Sequence, residues 1–209
     1  MVRRQVRIRF CKHGDLRLLG HRDLARAWER VFRRAGVGLR MSEGFHPKPR
    51  LSFPSALAVG VSGADEVLEA ELTCAWSNDE VAAALARCMP AGLTVTTVES
   101  LPAGAPASQV RRVVYELPVP RERRPGLAER IARWLGEGPK PVDRGEGRKP
   151  VDLGALVEGV ELDGDVLRMR IRVTPQGTAR PREVLAALGL EDVERQGFFL
   201  TRTAVELQP

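Results

Sequence analysis

The sequence predicts an α+β fold in two similar halves, and three observations carry that reading. Apolar residues alternate with period 2 in some stretches and recur with helical period in others, in the same order in each half. A Pro-, Ala- and Gly-rich stretch, Pro102 to Ser108, interrupts the pattern near its middle. The chain has 209 residues, enough for two compact domains of about 100 each.

In the first half, Val6, Ile8 and Phe10 alternate with Arg7 and Arg9, which predicts a half-buried strand from Gln5 to Cys11 with a basic outward face. Gly14-Asp15 is a turn signal. Residues 21–35 predict a helix, because Leu24, Ala27, Trp28, Val31 and Ala35 project onto one side. Arg22, Arg26, Arg30 and Arg33 fall within about 80° of one another on the opposite side. Gly36 and Gly38 end the helix. Pro47 and Pro49 make residues 42–49 a loop leading to extended chain at Arg50–Phe53. Glu66–Leu72 and Leu93–Val98 read as strands. Between them Asn78–Met89 reads as a helix capped by Ser77, with Val81, Leu85 and Cys88 inward.

The second half repeats the order. Val110–Leu117 reads as a strand and Arg123–Leu135 as a helix. A hydrophilic loop spans Gly136–Lys149. Val157–Leu162 and Val166–Val173 flank Asp163-Gly164-Asp165, a strong hairpin signal. Pro181–Leu188 reads as a helix closed by Gly189, and Phe198–Leu207 as a last strand. Strand, helix, two strands, helix, strand is the ferredoxin-like βαββαβ order. The expectation is two tandem ferredoxin-like domains, 1–104 (basic) and 109–209, with their sheets side by side.

Charge is strongly segregated. Residues 1–50 hold fourteen Arg and Lys against four acids, together with all three histidines, His13, His21 and His46. Residues 51–100 hold one Arg against seven acids. Opposite charge blocks predict a polarised surface, and a basic face suits a polyanion such as RNA. Only four of the 33 basic residues are Lys; Arg is the better phosphate fork and base-stacking group. No apolar run reaches the ~18 residues of a membrane span, and no apolar leader stretch follows Met1. A cytoplasmic protein without membrane attachment is expected. Cys11, Cys74 and Cys88 match no paired-cysteine motif, so reduced thiols are expected and neither a metal nor a cofactor is assigned. Cys11, His13 and His21 match no established metal spacing.

Four candidate sites follow. Arg22, Arg26, Arg30 and Arg33 would present guanidiniums about 5–6 Å apart, suited to phosphates or an acidic partner; the alternative is a solvated face partnered by Glu29 and nearby acids. The loop with Phe45, His46, Lys48 and Arg50 offers an aromatic platform and cations beside two prolines; the alternative is a structural crossover. His21, with Asp23 and His13 nearby, is either a helix cap or a general base. Gly145 to Asp152 has neither Walker nor dinucleotide spacing and reads as a solvated connection, with Arg148 and Lys149 adding to a basic surface.

The stretches from Val6 through Leu24, Arg33 to Gly36 and Ser42 to Phe53, with a weaker echo at Arg148 to Asp152, resemble a bacterial family of radical-SAM-associated, or radical-SAM-linked, proteins of unknown function. That resemblance implies a radical SAM protein as partner, because family members are encoded beside or fused to one. They often lie near genes for an RNase E/G-type ribonuclease and ribosomal proteins. It assigns no reaction and no catalytic residue. A looser likeness of fold is to the CRISPR repeat-RNA endonucleases, whose glycine-rich loop near the C-terminus this chain lacks.

The leading expectation is an accessory RNA-binding protein serving a radical SAM enzyme in RNA or ribosome metabolism. One alternative is a metal-independent ribonuclease, with His21 or His46 as base and Arg22 or Lys48 stabilising the phosphorane. The other is a protein-only adaptor whose basic helix docks an acidic surface of the radical SAM partner.

Overall fold

In a computed structural model, residues 4–73, 75–102, 104–147 and 150–209 are described. Cys74, Arg148 and Lys149, named above, lie outside them. The fold is α+β, and the chain divides into two compact units, Met1–Gln109 and Val110–Pro209.

The first unit runs β1 (Arg4–Lys12), α1 (His21–Arg34), β2 (Leu51–Ser52), β3 (Ser62–Leu72), α2 (Asn78–Ala86) and β4 (Leu93–Leu101). β1 pairs antiparallel with β3, Ile8 opposite Leu68, and with β4, Ile8 opposite Val98; β2 pairs antiparallel with β3, Leu51 opposite Ala70. The strands therefore lie in the spatial order β2-β3-β1-β4.

The period-2 pattern sends Val6, Ile8 and Phe10 to one face with Leu68, Ala70 and Leu72. There they meet Leu24, Trp28, Val31 and Phe32 of α1 and Val81 and Leu85 of α2. Phe10 meets Trp28 edge-on with centroids 5.0 Å apart, a geometry that adds about 0.5–1.5 kcal/mol beyond area burial. α1 ends where Gly36 takes φ 69°, and Val37 N–H donates to the Phe32 carbonyl, so the left-handed glycine caps the last turn. α2 opens on a full capping box: Ser77 accepts from Glu80 N–H while Glu80 accepts from Ser77 N–H.

The second unit runs β5 (Val110–Pro118), α3 (Leu127–Gly136), β6 (Pro141–Val142), β7 (Val151–Asp152), the single turn α4 (Leu153–Leu156), β8 (Val157–Asp163), β9 (Val166–Thr174), β10 (Gly177–Thr178), α5 (Pro181–Ala187) and β11 (Thr201–Leu207). β8 pairs with β9, β9 with β5 and β5 with β11, all antiparallel. The order β8-β9-β5-β11 repeats that of the first unit. Asp163-Gly164-Asp165 does turn the β8–β9 hairpin, with Gly164 at φ 61°. Arginines and acids alternate on one face: Arg168 bonds Glu116, Arg170 bonds Glu161, and Glu158 takes both Arg172 and Arg112.

Four expectations are corrected. The helix predicted from Arg123 begins at Leu127, because Pro125-Gly126 interrupts it, Gly126 being at φ 68°. The loop predicted over Gly136–Lys149 contains β6, which pairs with β7. The last strand, predicted from Phe198, starts at Thr201, and residues 198–200 join no strand. Pro102 to Ser108 is more than a spacer, because Ser108 is hydrogen-bonded into the sheet of the first unit.

Candidate nucleic-acid interface

Two sets of arginines in the first unit meet different fates. Arg7 and Arg9 point away from the core on β1, but they are not the bare basic face the alternation suggested. Register sets carboxylates opposite Arg7, Glu69 on β3 and Glu99 on β4. Arg7 lies 3.4 Å from Glu69, and Arg9 pairs with Asp65. Glu69 is only 3% exposed; it also accepts from the Ser108 hydroxyl and, at 3.2 Å, from Ser108 N–H. The acidic block of the sequence thus lies against the strand part of the basic block.

The helix part is different. Arg22, Arg26, Arg30 and Arg33 are all exposed on α1, as is Arg34, because the opposite face is taken by Leu24, Ala27, Trp28 and Val31. Among the described residues, the ion pair found on this stripe is Arg26 with Asp23 at 3.6 Å, a solvent-exposed pair worth a few tenths of a kcal/mol. His21 opens α1 and packs edge-on against Phe53, centroids 5.3 Å apart. No side-chain hydrogen bond caps this end; Gly20 is the N-cap residue.

The loop of residues 40–50 is a small hairpin rather than a free crossover. Arg50 N–H donates to the Arg40 carbonyl at 2.7 Å, and Ser42 N–H to the Lys48 carbonyl at 2.7 Å. Lys48 N–H donates back to the Ser42 hydroxyl at 2.9 Å. The hairpin base is tied to β3 through Arg40 N–H on the Glu71 carbonyl and Glu71 N–H on the Arg50 carbonyl. Its tip therefore stands clear: Phe45 is fully exposed, and His46, Lys48 and Arg50 are exposed too. Gly44, at φ 117°, permits the reversal.

Beside this hairpin lies a cleft of about 770 Å³ lined by Arg4, Arg40, Arg50, Glu69 and Glu71. Of the eight residues singled out from the sequence, Arg50 alone lines it; the helix arginines do not. Arg4 and Arg40 were missed. Arg4 had no apolar neighbour pattern to mark it, and Arg40 sits past the glycines that close α1, where periodicity stops. Among the described residues no group of three or more His, Cys, Asp or Glu could hold a metal. Burial, with Asp65 and Glu66 adding to it, pushes the Cys11 thiol up, away from the thiolate that metal binding or attack requires. Its Sγ donates to the Ala64 carbonyl at 3.0 Å.

The class defined so far is an α+β protein of two compact units, the first carrying an exposed arginine helix and a cationic cleft. Residues 5–181 match the family described as an uncharacterized protein conserved in bacteria (DUF2344), and the chain belongs to that family. No curated protein matches the sequence. A crystal structure of an unknown protein from Galdieria sulphuraria is similar at 11% identity over 100% of both chains, with a TM-score of 0.29, too slight a likeness to bear on the fold. No helix among the described residues is long and apolar enough to cross a membrane.

Proposed function

We propose that this chain is an accessory RNA-binding protein that works beside a radical SAM enzyme in RNA or ribosome metabolism, in the cytoplasm. The observation that carries the RNA part is the α1 stripe: Arg22, Arg30 and Arg33 are exposed, and the ion pair found there engages Arg26 alone. Uncompensated guanidiniums on a rigid helix suit successive phosphates. The exposed Phe45, with His46 and Lys48 on the same hairpin tip, suits stacking on an unpaired base. The radical SAM partner rests on the resemblance of residues 6–24, 33–36 and 42–53. We read each unit as ferredoxin-like, making the chain a tandem of two such domains. The repeated antiparallel orders β2-β3-β1-β4 and β8-β9-β5-β11 support that reading.

The test is fluorescence anisotropy with a labelled single-stranded oligoribonucleotide at two salt concentrations. The probes are the wild-type chain and a variant with Arg22, Arg26, Arg30 and Arg33 all changed to Ala. The variant is expected to bind about tenfold or more weakly, with a slope of log K against log salt shallower by about 2 to 3. Unchanged affinity and slope would remove the helix from the interface. Co-purification with a radical SAM protein that survives nuclease treatment, without retained nucleic acid, would favour the protein-only adaptor.

A further inference from the structure

One aromatic ring of the first unit is held out in water on a braced hairpin. Of the six aromatic side chains in this unit, Phe10, Trp28, Phe32, Phe53 and Trp76 pack in or against its core. Phe45 is the exception and is fully exposed. Its hairpin is braced between its arms, by Arg50 N–H on the Arg40 carbonyl and Ser42 N–H on the Lys48 carbonyl, and against β3 through Glu71. Gly44, at φ 117°, has open space where a Cβ would stand, so glycine serves the backbone turn there and not the packing. Glu43, the acid of the tip, lies 3.7 Å from Arg40, while His46 and Lys48 are exposed on the same tip as the ring. The hairpin leaves the unit where α1 stops: Val37 N–H closes on the Phe32 carbonyl at 3.1 Å, and Leu39 bridges to Leu72. Arg33 and Arg34, in the last turn of α1, therefore lie at the same end of the unit as the hairpin base.

Resting on the RNA reading above, we propose that the class of RNA bound is a duplex interrupted by an unpaired nucleotide. Phe45 stacks on the displaced base, and the α1 stripe takes phosphates of the flanking helix. The number of stacking platforms decides against a continuous single strand. Proteins that grip a single strand stack successive bases on several aromatics, and this unit exposes one such ring. The stripe decides for an ordered backbone. Arg22 to Arg33 spans about 16 Å of straight helix, with guanidiniums at fixed intervals. Phosphates already held in a duplex meet them without the ordering cost that a free strand bears. An uninterrupted duplex suits the stripe but leaves Phe45 idle, because its bases are stacked on one another and its major groove is too deep and narrow for side chains. An unpaired base supplies the missing face at little unstacking cost.

Anisotropy titrations of the full chain with three labelled oligoribonucleotides test it: a fully paired duplex, the same duplex with one bulged nucleotide, and one of its strands alone. The bulged duplex is expected to bind about tenfold more tightly than either of the others. Phe45→Ala should remove that preference and leave the affinity and salt slope of the fully paired duplex unchanged. Phe45→Trp should keep the preference, and Phe45→Leu, apolar but without a π face, should lose it. Because the ring is exposed, none of these changes disturbs the core. The variant lacking the four helix arginines should weaken both duplexes alike. Equal binding of bulged and fully paired duplex by the wild type overturns the proposal, as does a single strand that binds as tightly as the bulged duplex, or a preference that survives Phe45→Ala. Binding that depends on the helix arginines but shows no preference removes this inference and leaves the RNA reading standing. Binding to none of the three removes both.

Discussion

β1 and α1 carry the same residue type at similar density, yet only one of them keeps its charge. On β1, antiparallel register places Arg7 opposite Glu69 and Glu99, and Arg9 pairs with Asp65. On α1, the surrounding acids are few, and the ion pair found on the stripe is the exposed one between Arg26 and Asp23. Among the described residues, the acidic stretch of residues 51–100 supplies Asp65, Glu69 and Glu99 as ion-pair partners to the strand and none to the helix stripe. Segment charge thus says little about surface field. What decides it is which residues a sheet ladder forces together and which a helix holds apart.

That contrast can be broken at its strand end first. Glu69→Ala removes a buried carboxylate that Arg7 and Ser108 share, leaving the half-buried Arg7 guanidinium to the more distant, exposed Glu99 at 4.0 Å. Destabilisation of about 3 kcal/mol by urea unfolding is expected, whereas Arg30→Ala on the helix is expected to shift stability by about 0.5 kcal/mol or less. Equal effects at the two positions would dissolve the distinction.

Paired charges also set the acid limb of stability. Burial pushes the Glu183 carboxyl up, but hydrogen bonds from Arg144 and from Arg180 N–H outweigh this and hold it below its ordinary value of 4.5. Its depressed folded-state value means that its contribution is complete above that ordinary value and is lost as pH falls through the folded one. Glu183→Gln should flatten the loss of stability on acidification, measured as thermal midpoint against pH. An unchanged acid limb would contradict the pairing. Smaller still, Ser77→Ala removes the α2 cap and should cost about 1 kcal/mol. Smallest, Asp23→Asn should cost a few tenths of a kcal/mol, about what an exposed pair contributes.

Much of the architecture is written in local pattern. The α1 periodicity, the Ser77 cap and the Asp163-Gly164-Asp165 turn each depend on residues within a few positions of one another, and each corresponds to an observed element. What escaped is non-local. Alternation marks Glu69 as outward-facing, but it cannot tell that Ser108, at the end of an apparent linker, folds back to bury it. Nor can it tell that Arg4, Arg40 and Arg50, far apart in the chain, line one cleft. Exposure of the helix arginines was legible because a strong apolar face dictates its opposite. That no ion pair is found at Arg22, Arg30 and Arg33 among the described residues was not, because that depends on where β3 and β4 run.

The most direct measurement sets equal losses of formal charge against each other. One variant changes Arg22, Arg30 and Arg33 to Gln, and a second changes Arg168, Arg170 and Arg172, which are bonded to Glu116, Glu161 and Glu158. The salt slope of RNA binding is recorded for both. The helix variant should be shallower than wild type by about 2, while the variant of the paired arginines keeps the wild-type slope. Equal slopes in the two variants would mean that net charge alone governs binding, and that the free helix face has no special part in it.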